Sequence, residues 1–417
     1  MDFSLEHKEQ ENSMARIAIE DAQKLVFQEG IPVETEYCPV SECAGRVLAE
    51  DLTSAISQPP FARSAMDGYA LREADIKGAC QEQPVILKVI YKTCAGDPPG
   101  RRLLPGECVR IMTGAVLPEG ADCVIRQEDT DEGESRVRIY SGGRAQQNCC
   151  AAGEDFKPGD ILARAGDRMD AYIAAAAVAA GRRELLVRRR LRAAIVTTGE
   201  ELAEAGSALL PGKIYNSNLT YLQVRLVQEG CEVVYCRSTG DERSVIAAAV
   251  REAVKTADFV VTTGGVSVGQ KDQLPYVMEE LGARILFRGI SLKPGMPSMG
   301  AVLEKTPVLC LSGNPYSAFA VFELLIRPLK AGFLGCTEYH YTRVQTIAAS
   351  GFSKPSKTRR LLRGCYDGRT VSLSGKQQNG QLTGGIGCNC LVDIPADSEA
   401  VQSGDVVEII LTGQTNL

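Results

Sequence analysis

Apolar Ile17, Ile19, Ala22, Leu25 and Val26 recur at helical spacing, so the chain is expected to open on a helix from about Met14 to Glu29, closed by Gly30 and Pro32. Val33 to Leu52 reads as short extended pieces, and Gln58-Pro59-Pro60-Phe61 interrupts any regular element. From about Gln83 to Ile139 the pattern becomes short alternating runs, such as Val85 to Val89, Cys123 to Ile125 and Arg136 to Ile139, punctuated by Gly and Pro. That stretch predicts a small β domain. An Ala-rich helix spans Met169 to Gly181, and the basic run from Arg182 to Arg192 marks a boundary near Arg189.

Beyond it the rhythm changes to strand then helix. Ala193 to Thr198, a helix over Leu219 to Glu229, Cys231 to Cys236, a helix over Glu242 to Ala257 with Asp241 as N-cap, and Phe259 to Thr263 follow one another. Repeated β-then-α units predict a doubly wound, mostly parallel sheet. Leu309 to Leu311 leads into Asn314, suited to cap a helix, and Pro315, suited to its first position; that helix is expected to end or kink near Pro328. After Gly335, Val371 to Leu373, Cys390 to Ile394 and Val406 to Leu411 predict a C-terminal β domain. The fold class is thus α/β plus β domains.

A chain of 417 residues exceeds what one core supports, so several domains are expected. Its net charge of −6 gives no electrostatic case for nucleic acid, and no apolar run is long enough to span a bilayer. A cytoplasmic protein is expected. Fifteen cysteines at scattered spacings fit reduced thiols serving as small apolar filler rather than a disulfide framework or zinc site. With only His7 and His340 there is almost no material for a Ser-His-Asp triad or a Cys-His pair. Chemistry must come from carboxylates, hydroxyls, lysines, backbone amides and bound metal.

One stretch concentrates such groups. Val260 to Thr263 feeds Gly264-Gly265-Val266-Ser267-Val268-Gly269-Gln270-Lys271-Asp272, a glycine-rich loop that can bring several N–H donors to an anion and ends on a carboxylate. The separation of Gly264 and Gly269 approaches that of a P-loop, but Gln270 occupies the lysine position, which argues against an NTPase of that type. Ligands of doubly wound sheets bind outside the carboxyl ends of strands, where Thr198-Gly199-Glu200-Glu201 also falls. Two such loops share one rim.

Taken in order, Pro60-Phe61-Ala62-Arg63-Ser64-Ala65-Met66-Asp67-Gly68-Tyr69-Ala70, Arg110-Ile111-Met112-Thr113-Gly114-Ala115, Gly153-Glu154-Asp155, Thr198 to Leu202, Gly264 to Asp272, Lys293-Pro294-Gly295 and Gly313-Asn314-Pro315-Tyr316-Ser317 resemble the MoeA/gephyrin E-domain family over essentially the whole chain. The resemblance implies an elongated four-domain subunit. Its parts would be a linking domain (33–56 and 156–189), a β domain (57–155), an α/β molybdopterin-binding domain (1–32 and 190–333) and a C-terminal β domain (334–417). It implies a homodimer that inserts molybdenum from molybdate into adenylylated molybdopterin and releases AMP, with the adenylyltransferase and acceptor molybdoenzymes as further partners.

By the same resemblance, Asp67, Glu201, Asp272 and Asp155 would be catalytic, with Asp67, Glu201 and Asp272 holding metal. Thr113, Gly264, Gly265, Ser267, Gly269, Lys293, Asn314, Pro315 and Ser317 would bind the pterin substrate. Anions beside so many carboxylates call for a hard divalent cation, and oxygen donors suit Mg²⁺. Dithiolene thiolates of molybdopterin can capture molybdenum themselves, so no protein nucleophile is required.

The chain departs from the family pattern where charge is expected. Cys149-Cys150 stands in place of arginines before Gly-Glu-Asp, Met296 replaces a lysine, Asn216 an aspartate, Gln270 a glutamate and Ser312 a proline. Each lost cationic contact would weaken anion binding by roughly 1.5–3 kcal/mol. The pattern therefore also admits a variant using another oxyanion such as tungstate, a non-catalytic pterin-binding or scaffold member, or a nucleotide-phosphate hydrolase sharing the α/β module, as in CinA-like proteins.

Overall fold

The computed structural model describes residues 16–267 and 272–412. The chain forms two compact units. One comprises Tyr37–Ala44 and Leu48–Val187; the other takes the described chain up to Glu36, Gly45–Val47 and everything from Arg188 onward.

In the first unit, β1 (Gly68–Leu71), β2 (Val85–Thr93), β3 (Glu107–Ile111), β4 (Cys123–Arg126) and β5 (Arg136–Ile139) form a sheet in the order β4-β1-β3-β2-β5. Along β5 the arginines face water while Val137 and Ile139 are fully buried, the alternation expected of a half-covered strand. β1 is buried throughout. It can lie against β4 because residue 68 is glycine: a Cβ there would sit 1.9 Å from the Ile125 carbonyl oxygen. A smaller core gathers Val40, Leu48, Leu52 and Met169 beside the helix Ala171–Ala179, whose N-cap Asp170 accepts the Ile173 N–H at 2.8 Å.

In the other unit, β6 (Arg192–Thr198), β7 (Glu232–Thr239), β8 (Phe259–Thr263), β9 (Arg284–Arg288), β10 (Met299–Leu303) and β11 (Thr306–Leu311) pair in the order β7-β6-β8-β11-β10-β9. β7, β6, β8 and β11 are parallel, and β10 and β9 add an antiparallel edge. β8 and β11 are buried along their whole length because helices cover the sheet. Those helices are α1 (Ile19–Gln28), α2 (Ser217–Gln228), α3 (Arg243–Thr256), α4 (Leu274–Glu280) and α5 (Pro315–Phe333). The chain ends in a closed barrel of β12 (Arg343–Ala348), β13 (Arg360–Tyr366), β14 (Thr370–Leu373), β15 (Cys390–Ile394) and β16 (Val406–Leu411), ordered β12-β14-β13-β15-β16. The expected fold class, a mostly parallel α/β domain together with β domains, is what the chain adopts.

One local expectation needs correction, and one of two alternatives at Pro328 falls away. α5 does not stop near Pro328 but runs through it to Phe333. Proline at 328 removes the N–H that the Leu324 carbonyl would accept. That carbonyl takes a hydrogen bond from Gln23 Nε2 at 3.0 Å and another from the Tyr341 hydroxyl instead. Asp241 is not the cap of α3, which starts one residue later from Glu242 without a side-chain cap. The first helix begins at Ile19; Met14 lies outside the described residues.

No disulfide links any of the fifteen cysteines, and seven of them are buried. Burial pushes the Cys108, Cys123 and Cys310 thiols up to about 12, so they stay protonated and behave as apolar filler. Among the described residues no helix is long and apolar enough to cross a membrane.

Candidate functional site

The carboxyl ends of β6, β8 and β11 lie side by side, with Thr197 opposite Thr263 and Thr263 opposite Leu311. Each strand opens into a short loop. The Thr198–Glu201 and Gly264–Ser267 loops press together so closely that a Cβ on Gly264, whose φ is +92°, would lie 2.2 Å from the Thr198 carbonyl oxygen. At Gly199 a Cβ would meet the Glu201 carboxylate at 2.7 Å. Glycine is therefore required at both turns.

These loops line a cleft of about 610 Å³ that also exposes Ser267, Asp272 and Asn314. Glu201, Asp241 and Asp272 are its carboxylates, and among its described lining residues there is no lysine or arginine. Asp241 is the acidic residue that sequence reasoning assigned to a cap. Its place just past β7, on the same rim of the sheet, was the available signal.

A second pocket, of about 340 Å³, adjoins the first and shares Pro297, Ser312 and Asn314 with it. It has the opposite charge. Lys293 and Arg360 line it, together with Ser317 and Asn379, and no carboxylate does among the described residues. Lys293 is fixed by its backbone, donating to the Arg359 carbonyl at 2.9 Å and accepting from Leu361 N–H at 2.7 Å. Arg360 stands 5.3 Å over the Phe352 ring, and its buried Nε has no protein partner.

The loop 376–382 closes over both pockets, with Gln377 and Asn379 in the smaller and Gly380 and Leu382 in the larger. Arg363, 5% exposed, is stacked 3.9 Å from the Tyr316 ring and donates to the Lys376 and Gln381 carbonyls, while Tyr316 N–H reaches the Asn379 carbonyl at 3.0 Å. No sequence signal assigned a residue here. Asn314 and Pro315 do sit at N-cap and first position of α5, as expected, though the Asn314 side chain makes no cap bond.

Asp67, Thr113 and Asp155 belong to the other unit. Thr113 holds Asp67 with two hydrogen bonds to Oδ1, from its N–H at 2.7 Å and its hydroxyl at 2.6 Å. Those bonds from the hydroxyl and the amide lower the Asp67 pKa against the opposing effect of burial. Thr113→Val is expected to raise the Asp67 titration toward the ordinary aspartate value, followed as the carboxyl ¹³C shift against pH; an unmoved midpoint would show that the hydroxyl is not its cause. Asp155 is exposed in a turn anchored by its N–H to the Gln58 carbonyl at 2.9 Å. Gly269, with Gln270, lies outside the described residues.

The fold and its loops agree with known proteins along nearly the whole chain. A relative from Bacillus subtilis (strain 168), molybdopterin molybdenumtransferase, is 32% identical over 408 residues, 96% of this chain and 95% of its own. The chain belongs to the MoeA family. Family models match as MoeA N-terminal region (domain I and II) at residues 17–181, probable molybdopterin binding domain at 194–331 and MoeA C-terminal region (domain IV) at 345–412. The Staphylococcus epidermidis (strain ATCC 12228 / FDA PCI 1200) relative of the same name is 30% identical over 95% of this chain and 96% of its own. The solved MoeA protein of Pyrococcus horikosii superposes with a TM-score of 0.83 at 31% identity, covering 96% of this chain and all of that one.

The departures from the MoeA pattern that fall on described residues have definite places in the fold. Asn216 uses both ends of its amide: Oδ1 accepts the Leu219 N–H at 3.1 Å to cap α2, and Nδ2 donates to Thr197 Oγ1 at 2.7 Å. Cys149-Cys150 forms a short strand paired with Arg63-Ser64, and burial pushes the Cys149 thiol up to about 11, so it carries no charge. Met296 lines the cationic pocket where a lysine would add charge, and Ser312 stands where the two pockets meet.

Proposed function

We propose that this MoeA-family chain inserts molybdenum from molybdate into adenylylated molybdopterin, releasing AMP. The observation that carries the reading is the charge segregation of the two adjoining pockets, one bearing Glu201, Asp241 and Asp272 and the other Lys293 and Arg360. A phosphate ester needing a cation suits the first and an oxyanion the second. The names of the relatives, molybdopterin molybdenumtransferase, support the same transfer.

Among the described residues no three His, Cys, Asp or Glu side chains converge into a metal cage. This donor set fits Mg²⁺, which is ordinarily held by one or two carboxylates together with water and substrate phosphates. Glu201 and Asp272, which line the same cleft, would hold it. Bound there, the ion would neutralise charge on the phosphoanhydride. The protein's own part is positioning: Gly264 and Gly265 let backbone approach the phosphate, Ser267 offers a hydroxyl, and Lys293, Arg360 and Ser317 orient the oxyanion through charge-assisted hydrogen bonds. Homodimer formation, cytoplasmic location and the four-part division at 33–56 with 156–189, 57–155, 1–32 with 190–333, and 334–417 belong to the same reading.

The test is AMP release by purified protein given adenylylated molybdopterin, Mg²⁺ and molybdate. Release that needs both molybdate and Mg²⁺ is expected, with tungstate substituted in parallel to rank the oxyanions. Tight pterin binding without release would replace the enzyme by a scaffold, and release indifferent to oxyanion would replace it by a hydrolase.

A further inference from the structure

Thr198, Gly264 and Ser312 come one residue beyond the registered positions Thr197, Thr263 and Leu311 of β6, β8 and β11. They form a row across the carboxyl edge of the sheet: hydroxyl, glycine, hydroxyl. Thr198 is 4% exposed and Ser312 6%, yet both line the carboxylate-bearing cleft. Thr198 Oγ1 has no hydrogen-bond partner in the protein. Ser312 Oγ accepts the Asn314 N–H at 3.3 Å. A buried hydroxyl without a partner destabilises a fold, so its retention at the floor of a cleft is accounted for when a ligand supplies the acceptor.

The geometry points to Thr198 and Ser312 as two hydroxyls that donate hydrogen bonds to the phosphate group of the bound ester, on either side of Gly264. Parallel strands lie about 4.8 Å apart, so two strand steps separate the hydroxyl-bearing residues by roughly 10 Å, room for one tetrahedral phosphate accepting a bond from each side. Any side chain at 264 would collide with Thr198, since a Cβ there lies 2.8 Å from its Oγ1 and 2.2 Å from its carbonyl oxygen. The carboxylates on the same rim can only accept, so donors to the anion come from hydroxyls such as these and Ser267, from the Asn314 amide and from the loop N–H groups. Ser312 also borders the cationic pocket, so a free oxyanion is the competing source of the same tetrahedral chemistry.

This assignment rests on the proposed reading of the cleft, and calorimetric titration of the whole chain separates the two. The probes are AMP with Mg²⁺, and molybdate alone. Thr198→Val and Ser312→Ala are each expected to weaken AMP binding about tenfold, the effect of one hydrogen bond to a charged group, while molybdate binding is unchanged. Thr198→Ser should stay within twofold of wild type, and Thr198→Val should melt no lower than wild type, which a merely structural hydroxyl would not allow. AMP affinities of both Thr198→Val and Ser312→Ala within twofold of wild type would overturn the assignment alone, as would loss of molybdate rather than AMP binding. A wild-type chain that binds neither AMP nor adenylylated molybdopterin overturns the reading of the cleft and this assignment with it.

Discussion

Gly264→Ala is expected to lower molybdate-dependent AMP release at least about a hundredfold while the chain stays folded. The added Cβ would stand 2.2 Å from the Thr198 carbonyl oxygen and 2.8 Å from its hydroxyl, and neither can retreat, because Thr198 ends a strand buried from Ala193 onward. Nor can the loop move freely the other way: Gly264 N–H is bonded to the Leu311 carbonyl at 3.1 Å. A φ of +92° adds strain for any L side chain, on the order of 1–3 kcal/mol. The Gly264–Ser267 loop would therefore lift from the rim, and a misplacement of about 1 Å in a positioned site can cost 10²-fold in rate. Gly282→Ala is the control, since its φ is +74° but a Cβ there meets nothing within 4 Å. AMP release by Gly264→Ala within tenfold of wild type, at unchanged far-ultraviolet circular dichroism, would show that this loop does not position the substrate.

The contrast between those two glycines also marks what a sequence can convey. Gly264 stands out in the sequence as part of an anion-binding loop, but that residue 264 must be glycine because Thr198 packs against it is visible only in the fold. Periodicity located the strands of the parallel sheet and the helices between them, because burial of a whole strand or one helix face is written locally as apolar spacing. At Pro328 it could not tell an end from a continued helix, because the freed Leu324 carbonyl is satisfied by Gln23 and Tyr341, of which Gln23 is 301 residues away. It failed at Asp241, since an acidic residue before a helix has the same local appearance whether it caps the helix or faces a cleft. The loop 376–382 was illegible for a related reason: its place depends on Arg363 and Tyr316, which come from a barrel strand and from α5.

Behind the cleft, Glu323→Ala is expected to destabilise the α2/α5 pair by about 3–5 kcal/mol, the cost of leaving a buried cation without its partner. Glu323, 6% exposed, takes two hydrogen bonds from Arg225, 2% exposed, at 2.7 and 2.9 Å, and a third from the Tyr221 hydroxyl at 3.0 Å. Arg225 also reaches Glu229 at 3.0 Å, but Glu229 is shared with Lys330 at 2.7 Å, so removing Glu323 leaves two cations facing one carboxylate. Replacing the pair together, Arg225→Met with Glu323→Leu, removes the uncompensated charge and is expected to be neutral or stabilising by about 1–4 kcal/mol. Hydrogen exchange of the α2 and α5 amides reads both variants within this unit, and equal protection in Glu323→Ala and wild type would refute the account. Acid should act in the same direction as the single variant. Burial would raise the Glu229 pKa, but Lys330 and Arg225 together hold it below the ordinary value, so its stabilising contribution is present above that value and is lost as pH falls through the lowered one. The consequence reaches the site, because α5 begins with Pro315 at the cleft and Asn218 on α2 donates to the Gly313 carbonyl at 2.9 Å. Loosening this ion network should therefore raise KM for adenylylated molybdopterin through the Gly313–Asn314 turn, an effect the paired apolar replacement should largely spare.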